Sequence, residues 1–104
     1  MSQDPSQFEA GKFVLCARLE TISKDAADEL AEFLLAIKRD LGEKEPGCLT
    51  YRVCQFENML MIFEEYADQE AFNLHKESEG AKAFWVALET RLQKPPAFEF
   101  YREL

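Results

Sequence analysis

Residues 64–78, EEYADQEAFNLHKES, contain the side chains of this chain that are best suited to chemistry. They include His75, the only histidine, which follows Glu64 and Tyr66 where a predicted strand gives way to a helical run. An imidazole changes charge close to neutral pH, so His75 beside an apolar wall can act as a general base. The alternative interpretation is a structural histidine on a helix, at the rim of a dimer or bonded to a backbone carbonyl.

Two tyrosines could assist such a base. Tyr66 and Tyr51 can each donate a hydrogen bond to a substrate carbonyl or to a developing oxyanion. The alternative is that both are core residues whose hydroxyl groups bond to the backbone, and this is the favoured interpretation for Tyr51.

Glu64 shares a predicted strand face with Tyr66 and could orient His75. A glutamate on a strand can also pair with an arginine on a neighbouring strand. We expect the second arrangement, a cross-strand salt bridge from Glu64 to Arg52 or Arg102.

Length and charge restrict the possible partners. The 104 residues suffice for one domain, and the formal net charge is −8. This field repels phosphate backbones and anionic lipids, so neither nucleic acid nor a membrane is an expected partner.

Residues 1–10 are polar without a leader pattern and predict a flexible lead-in to a single domain over 11–104. We expect a cytoplasmic protein.

The cysteines indicate no metal or redox site. Cys16, Cys48 and Cys54 form no CxxC motif, and one histidine is too few for a zinc-type pattern. We expect reduced cysteines that pack as small apolar side chains.

The first half of the chain predicts a strand, a helix and two further strands. Residues 12–20 are rich in branched and aromatic side chains. Ser23 is a candidate N-cap for a helix that runs to Leu41 and stops at Gly42. After a turn at 45–47, the predicted strands cover 48–56 and 59–66.

The second half predicts a broken helix and a last strand. Asp68 can cap a short helix over 69–76, and a second helical run follows Ser78 and includes Leu92. Prolines 95 and 96 end that run, and residues 97–104 alternate as a strand does.

The order β-α-β-β-α-β predicts an α+β, ferredoxin-like fold, with a four-stranded antiparallel sheet and helices on one face. The uncovered face would carry Met59, Met61 and Phe63, with Tyr101 or Phe100 from the last strand. Because an exposed apolar face of this size is unfavourable, we expect a homodimer that pairs sheet to sheet.

In its ordered motifs the chain resembles the antibiotic biosynthesis monooxygenase family of the dimeric α/β-barrel superfamily. The matching residues are EPGCLTY (45–51), Glu64, Tyr66, Asp68, EAF (70–72), His75 and Ser78. The resemblance extends over residues 12–104. It implies an oxygenase that uses neither a cofactor nor a metal and oxidises phenols, quinols or anthrones; other members degrade haem or isomerise small metabolites.

The resemblance also implies a pocket between the helices and the sheet face that they cover. Its catalytic residues would be His75 and Tyr66. Its substrate-binding walls would be Phe33, Ile37, Leu49, Tyr51, Leu60, Ile62, Phe84 and Trp85.

Three departures from the family narrow the chemistry. The asparagine, tryptophan and histidine of the haem-degrading branch correspond to Ala17, Tyr66 and Trp85 here, so haem degradation is not expected. Many quinol-oxidising relatives carry a second histidine at a position near Gly80. This sequence has none there, which argues against a mechanism with two imidazoles. Some polyketide-oxidising members have tryptophan in place of Tyr66, but a tyrosine can still hydrogen-bond a phenolic oxygen.

The leading prediction is a homodimeric, cofactor-independent monooxygenase acting on a small electron-rich aromatic molecule and oxygen. His75 would be the base and Tyr66 the orienting donor. One alternative is a non-catalytic dimer that binds a small molecule. The other is a cofactor-free isomerase or decarboxylase in which His75 moves a proton without oxygen.

Overall fold

The computed structural model describes residues 11–104, so the lead-in predicted for residues 1–10 lies outside the described part. The elements are β1 (Phe13–Glu20), α1 (Lys24–Lys44), β2 (Cys48–Phe56), β3 (Met59–Tyr66), α2 (Gln69–Lys76), α3 (Glu79–Leu88) and β4 (Ala97–Tyr101). The strands form one sheet in the order β2-β3-β1-β4, and all three pairings are antiparallel. The predicted ferredoxin-like α+β fold is confirmed.

Helix α1 supplies most of the cover for the sheet. Its N-cap is Ser23, as predicted, and the Ser23 side chain accepts a hydrogen bond from the Ala26 amide at 3.0 Å. The predicted stop at Gly42 is wrong, because α1 continues to Lys44. A glycine lowers helix stability by only about 1 kcal/mol, and Gly42 keeps the negative φ of a helix.

The predicted break in the second helix is confirmed. Helix α2 ends at Lys76, and Ser78 begins α3 by accepting a hydrogen bond from the Ala81 amide. The extension of α3 to Leu92 is wrong, since the helix ends at Leu88. Backbone groups of 91–93 pair instead with the end of β1 and the residues after it, which draws this segment out of the helix.

The two faces of the sheet differ in burial. On β3, Leu60, Ile62, Glu64 and Tyr66 are all buried beneath the helices, as their shared face predicted. The opposite face exposes Met59 and half-buries Met61 and Phe63.

The last strand adds Tyr101, not Phe100, to this outer face. Tyr101 is exposed, whereas Phe100 is buried in the core. Strand β4 also ends at Tyr101 rather than at residue 104. No helix within residues 11–104 combines the length and the apolar character that crossing a membrane requires.

Candidate functional site

A cavity of about 280 Å³ lies between the helices and the inner face of the sheet. Its walls are almost entirely apolar, with His75, Glu64, Tyr51 and Lys76 as the polar lining residues. Of the predicted pocket residues, those that line it are Ile37, Tyr51, Ile62, Phe84 and Trp85. The sequence did not point to Phe72, Phe98 and Phe100, which complete the aromatic wall.

Three predicted wall residues lie elsewhere. Phe33 is 36% exposed on α1, and Leu49 is 48% exposed at an irregularity between Cys48 and Thr50 that shifts the register of β2. Leu60 is buried in the core near the start of β3 and does not reach the cavity. None of these three predicted wall residues lines the cavity.

Four buried polar side chains form one connected cluster at the end of the cavity. His75 Nδ1 lies 2.8 Å from Glu45 Oε1, and the Tyr66 hydroxyl donates a hydrogen bond to Glu64 Oε1. His75 Nε2 lies 3.7 Å from Glu64 Oε1, a contact between close groups but too long for a hydrogen bond. We refer to Glu45, Glu64, Tyr66 and His75 as the acid–imidazole cluster.

The elements bring this cluster together from three separate places. Glu64 and Tyr66 face inward from β3, His75 lies in the last turn of α2, and Glu45 caps the C-terminus of α1. The Ser78 hydroxyl donates to the carbonyl of His75 at 2.8 Å and so fixes the end of α2.

A glycine allows the close approach of α2 to the turn that carries Glu45. A Cβ atom on Gly47 would meet the Cβ of Ala71 at 2.6 Å, which is closer than real atoms come. The Gly47 carbonyl also accepts a hydrogen bond from the Ala67 amide at 2.8 Å, just before α2. The bare backbone at residue 47 thus sets the distance between Glu45 and His75.

Burial controls the protonation of Glu64. Removal from water raises the pKa of this carboxyl to about 7; the hydrogen bond from Tyr66 acts in the opposite direction, and the nearby Glu45 adds to the rise. Glu64 therefore exchanges its proton close to neutral pH, in a cleft, as functional carboxyl groups often do.

The neighbouring phenols and thiol keep their protons. Burial, followed by the negative charge of Glu64, raises the pKa of Tyr66 and of Tyr51 far above the ordinary value for tyrosine. The same two causes, with a contribution from Glu45, raise the pKa of Cys48 to about 12. These groups are hydrogen-bond donors at neutral pH, and Cys48 is not an activated nucleophile.

Tyr66 lies behind the residues that line the cavity, and its hydroxyl is directed to Glu64. It is fully buried, it does not line the cavity, and its hydroxyl is used on Glu64. Tyr51 does line the cavity, with its ring centroid 5.6 Å from that of His75. The residue type alone favours a structural role for Tyr51, whereas the resemblance implies a wall residue, and its position allows contact with a ligand.

The expected salt bridge from Glu64 to an arginine is wrong. Arg52 lies opposite Phe63 on β3, so it belongs to the other face of the sheet. Arg102 donates to the carbonyl of Lys12. Glu64 accepts from Tyr66 and faces His75 instead.

Glu45 is the site residue that the sequence reasoning missed. The sequence places it in a turn and in the family-like segment 45–51 without a role in the site, and it lies 30 positions from its partner His75. Its burial, with only 7% exposed, is unusual for a turn glutamate and becomes visible only in the folded chain.

The arrangement can exchange a proton with a bound molecule in a mostly apolar site. His75 and Glu64 are the groups that can do so, and the apolar walls suit a flat hydrophobic ligand. Within residues 11–104, no three His, Cys, Asp or Glu side chains are arranged to hold a metal ion.

The fold recurs in solved structures of low sequence identity. A candidate antibiotic biosynthesis monooxygenase from Caulobacter crescentus aligns with a TM-score of 0.83 and 22% identity over 95% of each chain. A protein from Mycobacterium tuberculosis aligns at 0.78 and 23% identity, over 89% of this chain and 95% of that one. A protein of unknown function from Nitrosomonas europaea aligns at 0.75 and 25% identity over 92% of each chain.

The sequence comparison is more specific than the fold. No curated protein matches the chain. Residues 13–86, from the first strand to the aromatic wall on α3, match the family described as antibiotic biosynthesis monooxygenase. The chain belongs to the antibiotic biosynthesis monooxygenase family.

Proposed function

We propose that the protein is a cofactor-independent monooxygenase that oxidises a small, electron-rich aromatic molecule with molecular oxygen. The observation that supports this most directly is a buried imidazole, His75, at the end of an aromatic-lined cavity beside a carboxyl group with a pKa near neutrality. The cavity of about 280 Å³ is just smaller than the usual range for ligand pockets, which begins at about 300 Å³. A substrate of one to a few fused rings fits that size.

In the proposed reaction, His75 takes the hydroxyl proton of a phenol or quinol and leaves an electron-rich anion. The anion transfers electrons to oxygen and forms a carbon–oxygen bond, which gives a peroxide on the ring. The peroxide takes a proton back from His75, and loss of water then breaks the oxygen–oxygen bond and the carbon–hydrogen bond at the same carbon, which leaves a carbonyl. The substrate supplies all the electrons, so the balance needs no further reductant.

Glu64 would hold the substrate oxygen. In its protonated form it can donate a hydrogen bond into the cavity while its Oε1 still accepts from Tyr66. Such a donor stabilises negative charge as it develops on the substrate oxygen. Tyr66, the orienting donor expected from the sequence, would thus act by orienting Glu64.

Oxygen uptake by metal-free protein tests the proposal, with hydroquinones, naphthols and anthrones as the substrate panel. We expect uptake above the buffer rate that is lost in His75→Ala. The control is Asn73→Ala, which changes an exposed side chain on the same helix. Uptake that persists in His75→Ala, or uptake by no member of the panel, would contradict the proposal.

The alternatives predict different results in the same assay. A binding module would hold panel members with equal affinity in wild type and His75→Ala, without turnover in either. The family resemblance implies a second histidine near Gly80 in many quinol-oxidising relatives, and its absence from this sequence favours this alternative. An isomerase or decarboxylase would work at full rate without oxygen.

A further inference from the structure

A second cleft meets the acid–imidazole cluster at Glu45, a residue that does not line the cavity. It is a groove of about 450 Å³ between the end of α1 and the junction of α2 with α3. Glu45 lines this groove but does not line the cavity. Ile37 lines both spaces, so at this point the wall between them is a single side chain thick.

His75 and Glu45 together span this wall. The Nε2 edge of His75 turns to the side of Glu64, which lines the cavity, and the Nδ1 edge turns to Glu45, which lines the groove. His75 Nδ1 lies 2.8 Å from Glu45 Oε1, and an ionised Glu45, which can only accept, requires Nδ1 to be the donor of this hydrogen bond. In the neutral ring that arrangement leaves the Nε2 lone pair directed to the cavity side.

We propose that Glu45 holds His75 with Nδ1 protonated and passes the Nδ1 proton to the groove when Nε2 takes the substrate proton. This inference rests on the proposed function, in which His75 accepts that proton. Glu45 is a positioning residue, since it reaches the substrate only through the imidazole.

The transfer balances without any change in oxidation state. The substrate oxygen–hydrogen bond breaks, its electron pair stays on oxygen, and a hydrogen bonds to Nε2. The proton on Nδ1 passes to Glu45 Oε1 and then to solvent in the groove. Later the peroxide takes the Nε2 proton, and Nδ1 regains one from the groove through Glu45.

The surroundings of His75 leave Glu45 as its acidic neighbour on the groove side. The groups that face the imidazole from the other elements are Glu64 and Tyr66 on β3 and Tyr51 on β2; Cys48, near the two carboxyls, and Lys76, next in the chain, lie close by. Beyond Glu45, the groove carries Asp40, Lys44, Glu77 and Glu79, which are exposed and can exchange protons with water.

The sole histidine makes the test specific. In untagged protein labelled with ¹⁵N-histidine, every imidazole signal comes from His75. We expect the Nδ1-protonated neutral tautomer in the wild type. Glu45→Gln, whose amide oxygen still accepts, should keep this tautomer, and Glu45→Leu should lose it. An Nε2-protonated ring in the wild type, or an unchanged ring in Glu45→Leu, would overturn the positioning role.

Hydrogen exchange in the same samples tests the proton route without any substrate. General acid–base catalysis is commonly worth a hundredfold or more, so exchange of the Nδ1 hydrogen with water should slow about a hundredfold in Glu45→Gln. Asp40→Asn, which removes a groove carboxylate without touching His75, should leave the exchange rate unchanged. Equal rates in wild type and Glu45→Gln would overturn the route.

Oxygen uptake separates this inference from the proposed function. With an active substrate, kcat of Glu45→Gln should fall about a hundredfold while KM changes little. Formate should restore the rate of Glu45→Ala but not that of His75→Ala. Full activity in Glu45→Gln would overturn the route and leave the oxygenase intact. If the wild type takes up no oxygen, the oxygenase fails, and tautomer and exchange still decide the role of Glu45.

Discussion

The buried carboxyl of Glu64 makes the stability of the protein depend on pH. Its pKa rises from 4.5 to about 7 on folding, chiefly because burial disfavours the charged form. Between these two values the unfolded chain releases the proton while the folded chain keeps it. Stability should therefore fall as pH rises through this window, by roughly 3 kcal/mol in all.

Glu64→Gln imitates the protonated carboxyl and should remove this dependence. We expect the variant to gain stability relative to the wild type as pH rises from about 4.5 to 7, and to keep the gain above that. Urea unfolding at a series of pH values measures the difference. The control Glu43→Gln removes one exposed carboxylate from α1 and corrects for the change in net charge. If Glu64→Gln is more stable than the wild type by the same amount at pH 4 and at pH 8, burial of Glu64 does not cause the pH dependence.

Part of this site could be predicted from the sequence, namely which face of β3 some of its residues occupy. Alternation along β3 placed Glu64 and Tyr66 inward with Leu60 and Ile62, which is where they lie. The partner of Glu64 could not be predicted from the sequence. Strand alternation shows on which face of the sheet a side chain lies, but not which side chain it contacts. The role of Glu45 could not be read either, since a turn residue has no periodicity and its partner is distant in sequence.

At the scale of elements, the approach of α2 to the α1–β2 turn holds the site together. Gly47→Ala should force Cβ against Ala71 and lower the free energy of unfolding by about 1–3 kcal/mol. Ala71→Gly removes the opposing atom, so the double variant should cost less than the sum of the two single changes. Denaturant unfolding of all four proteins gives this coupling energy.

Strict additivity of the two changes would show that α2 does not rest on residue 47. The ¹⁵N signals of His75 provide a second measure, because a displaced α2 separates Nδ1 from Glu45 Oε1.

Most helices and strands could be predicted from the sequence, and the two wrong helix ends have local causes. β2, β3 and α2 have the predicted bounds because alternation, turn residues and the Asp68 cap agree there. Gly42 did not stop α1, since Leu41 still packs in the core and the small cost of a glycine is outweighed. Leu92 continues the helical spacing of α3, but residues 91–93 form backbone hydrogen bonds with the end of β1 and the residues after it. The helix therefore ends before Leu92.

At the scale of the whole molecule, the outer sheet face predicts self-association. Helices cover the inner face alone, and the outer face presents Met59, Met61, Phe63 and Tyr101 with Cys16 among them. We expect a homodimer in which two such faces pack together, since burying apolar area stabilises association by about 25 cal/mol per Å².

Light scattering after size exclusion should give twice the chain mass of 12.0 kDa. Met61→Glu, which places a charge on the outer face, should shift the protein towards monomer. Val86→Glu adds the same charge at a position 68% exposed on α3 and should remain dimeric. A wild type that is monomeric at tens of micromolar would contradict the prediction that two outer sheet faces pack together.

The most direct test of the central claim is the origin of the oxygen atom in the product. Any panel compound that supports uptake is turned over under ¹⁸O₂, and the product is analysed by mass spectrometry beside a His75→Gln sample. We expect one ¹⁸O atom in the new carbonyl of the product that the wild type forms, and no such product from the variant. Product that carries oxygen from water only, or that forms equally well without oxygen, would contradict the assignment as a monooxygenase.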